Sequence, residues 1–130
     1  LAGQSGAIDR HFAGETLGDI LRSLGAEETP FTAAAREAMA RNAPLAMACA
    51  VEMIHRLRGP GAEIERALDL EYRYTYRSID QGDFLEGIRA AIIDKDRAPR
   101  WRHAAGAVPT PEVARMLMPL GEAALRLGGT

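Results

Sequence analysis

The stretch Asp83-Phe84-Leu85-Glu86-Gly87-Ile88-Arg89-Ala90-Ala91-Ile92-Ile93-Asp94-Lys95-Asp96-Arg97-Ala98-Pro99-Arg100-Trp101 decides how this chain is read. Its first half has the pattern of a helix start. Asp83 can accept from free backbone N–H groups, and Glu86 stands three residues on, as a capping box requires. Phe84, Leu85, Ile88, Ala91 and Ile92 follow at helical spacing. The second half packs Asp94, Lys95, Asp96 and Arg97 together with alternating sign. Pro99 closes the helix, because the residue before a proline disfavours the α region. Trp101 is the only tryptophan. A generic helix needs no such charged, aromatic ending.

The sequence on either side reads as further helices. Thr16 and Asp19 form a capping pattern ahead of Leu17, Ile20, Leu21 and Leu24, and Gly25 stops that run. Thr29-Pro30 is a cap followed by proline at the first helical position. Phe31, Ala34, Ala35, Ala38 and Met39 then give a narrow face that allows close packing. Asn42-Ala43-Pro44 restarts the chain. Leu45 to Arg58 is apolar almost all round, which predicts burial on more than one side. His55, Arg56 and Arg58 suit the negative end of its dipole, and Gly59-Pro60 ends it.

The next helix runs from about Ala62 to Ser78, with Ile64, Leu68, Tyr72, Thr75 and Ile79 on one face and Glu71 beside it. Thr110-Pro111-Glu112 begins a last helix carrying Val113, Met116, Leu117, Leu120 and Ala124, before Gly128-Gly129-Thr130 frays. Leu1 to Glu15 has no clean period and reads as a surface segment anchored by Ile8 and Phe12. The expected fold is therefore all-α, with about six helices and no strands.

Composition narrows the class. A length of 130 residues suits one domain. A hydrophobic content of 47% argues against a disordered chain, and 5% aromatics implies an aliphatic core. The net charge of −2 argues against a general nucleic-acid binder. No apolar run is long enough to span a membrane. Only one of the 16 basic residues is lysine; arginine, alanine and glycine richness points to a GC-rich, bacterial genome. The first residue is leucine and no signal peptide pattern follows, so the expectation is a start inside a longer polypeptide and a cytoplasmic location.

Few residues carry chemistry. His11, His55 and His103 lack metal-ligand spacing and read as surface or capping residues. Cys49 lies in an apolar run with no adjacent cation to activate it. Ser5, Ser23 and Ser78 lack a nucleophile elbow. Glu71 and Glu86 border apolar faces and are expected to be half-buried and paired with arginines, Glu86 with Arg89. Lys95, Arg97, Arg100 and Arg102 cluster about Trp101. Cations beside a flat ring suit a phosphorylated adenine nucleotide; the other reading is a solvated charge run offset by Asp94 and Asp96.

Three segments also carry a resemblance. Glu71-Tyr72-Arg73, the Asp83–Ala90 helix start and Ile93-Asp94-Lys95-Asp96-Arg97-Ala98-Pro99-Arg100-Trp101 closely resemble the C-terminal part of the 3-hydroxyisobutyryl-CoA hydrolase branch of the crotonase (enoyl-CoA hydratase/isomerase) superfamily. Other crotonases have Glu-Lys-Arg where this chain has Asp-Lys-Asp. Asn42-Ala43-Pro44 and Ile8 to Leu24 resemble earlier parts of that branch more loosely. Leu85 replaces a common tyrosine, and Asn42-Ala43 replaces Arg-Ser.

The resemblance implies the C-terminal helical region of a crotonase-type α/β fold. Residues 1–28 would be a connecting segment with the first helix, 29–101 a helical lid and oligomerisation region, and 102–130 a tail. It implies an acyl-CoA hydrolase with an enoyl-CoA hydratase or isomerase as the alternative, catalytic groups on a preceding core, and none in this segment. Lys95 and Arg97 become CoA contacts, while Asp83, Glu86, Glu71 and Trp101 are structural; Phe84 and Ile92 read as packing. CoA enters as part of the substrate, so no separate cofactor or metal is expected. The implied partners are acyl-CoA and further copies of the chain. A helical interaction module without chemistry is the reading from another class.

Overall fold

The computed structural model describes residues 2–59 and 63–126. Among these residues the chain is helical and contains no strand. A 3-10 turn at Ala2–Gln4 leads into α1 (Ser5–His11). There follow α2 (Leu17–Gly25), α3 (Pro30–Ala40), α4 (Pro44–Arg56), α5 (Ile64–Gln81) and α6 (Phe84–Ile88). A π-helical turn over Arg89–Ile93 extends α6, and α7 (Thr110–Met116) precedes a 3-10 turn at Gly121–Ala123. Pro60 of the expected Gly59-Pro60 helix stop, the expected helix start at Ala62, and Gly128-Gly129-Thr130, expected to fray, lie outside the described residues.

Local signals gave the first helices their starts. At α2 the Thr16 hydroxyl accepts from the Asp19 N–H, and the Asp19 carboxylate accepts from the Thr16 N–H. Thr29 and Thr32 form the same reciprocal pair at α3. Leu17, Ile20 and Leu24 are buried, as their spacing requires. On α3, fully buried Thr32 occupies the inner face, and Ala34 and Ala38 are exposed.

The segment before Thr16 departs from expectation. Ser5–His11 is a helix of seven residues, too short to display a period. Its last residue, His11, is buried, not on the surface. The ring stacks on Phe31 at 6.1 Å, and Nδ1 meets the Ser23 hydroxyl at 2.9 Å. Nε2 lies 3.1 Å from the Glu27 carboxylate but off the hydrogen-bond direction. His55 is half-buried and bonds the Gly14 carbonyl through Nε2 at 3.0 Å.

The core sits where α4, α5 and α7 meet. Leu45, Cys49 and Met116 are buried there, with Tyr74, Val108 and Val113 packed against them. Burial on α4 is one stripe of Pro44, Leu45, Ala48 and Cys49, and Ile54 is 59% exposed. α7 stops at Met116, not near Ala124, because Pro119 cannot continue a helix. Its last carbonyls are covered from α5. Arg73 donates to the Leu117 carbonyl, and Arg77 donates to those of Met116, Met118 and Pro119.

The apolar face of α5 faces outward. Ile64 is 68% exposed and Ile79 51%, and Leu68 and Tyr72 are also exposed. The helix buries Leu70 and Ser78 instead. Period alone marks an amphipathic face and does not say what covers it. The exposed stripe runs from Ile64 to Ile79, about 22 Å at helical rise. The whole chain exposes 8477 Å². A compact monomer of its mass exposes about 6,700 Å², so the chain exposes more surface than its mass requires, and the outward face of α5 is part of it.

Candidate functional site

The charged stretch folds back on itself after α5. Gly82 makes the corner. Its φ of −115° suits any residue, but a Cβ there would lie 2.9 Å from the Ser78 carbonyl oxygen. Only hydrogen fits. Asp83 follows, buried at 5% exposure. It makes no cap bond to α6, and the expected capping box with Glu86 does not form. Both carboxylates reach the segment beyond Pro99. Asp83 accepts the Arg102 N–H at 2.9 Å, and Glu86 accepts the Arg100 N–H at 2.7 Å. The second Asp83 oxygen is buried with no hydrogen-bond partner among the described residues.

Trp101 lies between these two bonds, so its ring is carried onto α6. A Cβ at Gly87 would sit 3.7 Å from that ring, in ordinary contact. Arg102 turns away from the cation cluster: its guanidinium donates to the Gly82 and Asp80 carbonyls, closing the end of α5. Gly82, Asp83, Glu86, Gly87, Arg100, Trp101 and Arg102 thus form one clasp.

Arg89 organises the other side. It donates to Glu86 at 2.8 and 2.6 Å, to Asp94 at 2.9 Å, to Asp96 at 2.7 Å and to the Ala98 carbonyl at 3.4 Å. Asp94 and Asp96 therefore bind a guanidinium and do more than offset a charge run. Asp94 N–H closes the π turn on the Arg89 carbonyl at 2.8 Å, and Arg97 N–H bonds the Ala90 carbonyl at 3.0 Å. Asp96 also accepts the Ala98 N–H at 2.9 Å. Lys95 and Arg97 are left in the left-handed region, at φ 54° and 52°. For residues with a Cβ this costs about 1–2 kcal/mol each. Such conformations persist where surrounding bonds over-determine them. Their side chains are exposed and make no ion pair among the described residues.

The electrostatics follow from the geometry. The Arg89 bonds, then the Arg100 N–H, bring the Glu86 carboxyl down to about 2. The same guanidinium, then the Ala98 N–H, lowers Asp96. Bonds to Glu86, Asp96 and Asp94, in that order, hold Arg89 well above its ordinary value. Burial is the main cause that pushes the Tyr74 hydroxyl and the Cys49 thiol each up to about 12.

Glu86 gives the clasp a pH dependence. Its folded value lies below its unfolded one, so its contribution is present above the unfolded carboxyl range, near 4, and is lost as pH falls toward about 2. Titrating from neutral pH to strong acid should therefore release Trp101 between about pH 4.5 and pH 2. Emission from the single tryptophan reads this directly. A Glu86→Gln chain should show the released emission, or a much smaller transition, throughout. An identical acid transition in both chains would remove Glu86 as its cause.

Beside the clasp opens an apolar groove of ≈ 530 Å³, with Ala46, Tyr74, Ile79, Phe84, Ile92 and Trp101 among its walls. Phe84 and Ile92 line it and are mostly exposed within this chain. A smaller cavity of ≈ 200 Å³ lies between α2, α4 and the segment before α7, away from the clasp.

Of the residues singled out from sequence, Asp83, Glu86, Lys95, Arg97 and Trp101 come together here. Glu71 does not: it is exposed, with no ion pair among the described residues, because it points away from the side of α5 that meets α7. Gly82 and Gly87 are site residues that spacing did not mark; Arg89, expected as the partner of Glu86 and found there, also binds Asp94 and Asp96. Within the site every carboxylate pairs with Arg89 or a backbone N–H, which suits holding a shape more than moving protons.

The comparisons with known proteins agree with one another at the level of the family. The sequence model described as Enoyl-CoA hydratase/isomerase matches residues 1–117. The 3-hydroxyisobutyryl-CoA hydrolase, mitochondrial, of Gallus gallus is 29% identical over 92% of this chain and 31% of its own length. The 3-hydroxyisobutyryl-CoA hydrolase 1 of Arabidopsis thaliana is 31% identical over 72% of this chain and 26% of its own length. An enoyl-CoA hydratase from Rhodobacter sphaeroides 2.4.1, solved by crystallography, superposes with a TM-score of 0.91 at 55% identity. That match covers 98% of this chain and 37% of the other. The chain spans about a quarter to a third of the length of the curated relatives it matches.

Proposed function

The chain belongs to the enoyl-CoA hydratase/isomerase family, and on that premise we propose that it is the C-terminal helical part of an acyl-CoA thioester hydrolase. The proposed substrate is 3-hydroxyisobutyryl-CoA. The chain supplies covering helices, contacts between copies and, through Lys95 and Arg97, contacts to CoA. Hydrolysis needs donors aimed at the thioester carbonyl as it becomes an oxyanion, together with a base for water. On this reading both stand on the preceding core.

The observation that carries the choice of hydrolase is the Asp94–Arg89–Asp96 arrangement. It uses both aspartates of the Asp-Lys-Asp ending. Glu-Lys-Arg, the ending of other crotonases, would set a cation against Arg89 instead. The curated relatives named above are hydrolases, which favours the same reading. The solved relative is named a hydratase, which favours the alternative, an enoyl-CoA hydratase or isomerase.

On this reading the protein is a bacterial, cytoplasmic homo-oligomer that takes CoA only as part of its substrate and binds neither nucleic acid nor membrane. No helix among the described residues is long and apolar enough to cross a membrane.

The deciding experiment assays the full-length protein for CoA release from 3-hydroxyisobutyryl-CoA and for hydration of an enoyl-CoA, with this chain alone as the control. Release by the full-length protein and none by the chain is the expected result. Hydration without release makes the protein a hydratase. Release by the chain alone would overturn the assignment of catalysis to the core.

A further inference from the structure

We propose that Arg89 is a positioning residue for CoA: with Asp94 and Asp96 it holds Lys95 and Arg97 in the left-handed turns that aim their cations at an anionic ligand. The inference rests on reading Lys95 and Arg97 as CoA contacts and adds the device that places them. Along residues 94–97 the roles alternate. Asp94 and Asp96 turn to the Arg89 guanidinium at 2.9 and 2.7 Å, and the two residues with positive φ carry the exposed cations.

Neither Lys95 nor Arg97 has the backbone freedom of glycine, so the turn is set by what it is tied to. The ties are the two carboxylates, the Arg97 N–H on the Ala90 carbonyl and the Ala98 N–H on Asp96. Among the described residues Arg89 alone joins both carboxylates to the helix, and a planar fork with several donors can serve Glu86, Asp94 and Asp96 together. An arrangement that merely balanced charge would place the carboxylates against Lys95 and Arg97 themselves. Here they bind Arg89 and leave both cations without an ion pair among the described residues.

The two effects predict opposite signs. Asp94→Ala with Asp96→Ala removes two negative charges beside the cations. By charge alone, an anion then binds more tightly. If the carboxylates position the cations, it binds more weakly. The test is calorimetric titration of the full-length protein with CoA. The double aspartate variant and Arg89→Lys, which keeps the charge but loses the fork, should each weaken CoA about fivefold or more. With the proposed substrate, KM should rise while kcat stays near that of the parent. In a Lys95→Ala/Arg97→Ala background the aspartate changes should no longer weaken CoA binding.

Tighter or unchanged binding by the double aspartate variant overturns the positioning role. If Lys95→Ala/Arg97→Ala itself binds CoA like the parent, the reading of those cations as contacts falls, and the inference with it. The aspartates are half-exposed, so that arm reports on binding even if Arg89→Lys disturbs the helix.

Discussion

Leu45→Ala lowers the stability of the folded chain by about 2–5 kcal/mol, the range for truncating a buried leucine. Leu45 is 1% exposed and packs with Cys49 and Met116, where α4 meets α7. The loss combines reduced apolar burial with a cavity that three helices cannot fully collapse. Domains hold only about 5–15 kcal/mol in total, and this chain leaves much apolar surface uncovered. The expected result in urea is a large fall in the midpoint, followed by far-ultraviolet circular dichroism. Ile54→Ala is the control: at 59% exposure on the same helix, it should shift stability by about 0.5 kcal/mol or less. Equal losses in the two variants would mean that the core does not lie between α4, α5 and α7.

Gly82→Ala has the second-largest expected effect, and it links stability to the site. The new methyl would press on the Ser78 backbone at 2.9 Å from its carbonyl oxygen and 3.1 Å from its Cα. Neither atom belongs to a flexible side chain, so the corner between α5 and α6 must open. Overpacking of this kind costs about 1–3 kcal/mol. The same movement shifts Asp83 and loosens the Arg102 N–H bond that seats Trp101. The variant should therefore unfold earlier and show altered tryptophan emission before it unfolds. Parental stability with parental emission would show that the corner relaxes without strain. Gly87→Ala is the contrast, because there the added methyl finds room beside the Trp101 ring.

These two glycines illustrate what could be read in advance. Cap pairs such as Thr16 with Asp19 are local, three residues apart, and they stand in the structure as the sequence has them. Asp83 and Glu86 have the same spacing, yet their carboxylates serve Arg102 and Arg100, 19 and 14 residues away. A capping signature identifies acceptors and does not say which donors reach them first. The outward face of α5 was legible as a face, but period alone does not say which side of the helix meets α7. The left-handed turns at Lys95 and Arg97 had no signal, because glycine and asparagine are the residues that usually mark positive φ. The resemblance located the charged ending as a site; the role of Arg89 required coordinates.

The buried position of Cys49 bears on redox behaviour. It is the only cysteine in the sequence, fully buried in the core, and its thiol is held up to about 12, mainly by burial. Thiolate is the species that exchanges disulfides, so burial and the raised thiol both disfavour cross-linking of the folded chain at neutral pH. Copies of this chain that associate while folded are then expected to do so without a Cys49 disulfide. A disulfide-linked dimer in a preparation is then a record of molecules that opened around α4, and its yield in oxidant over time counts those openings.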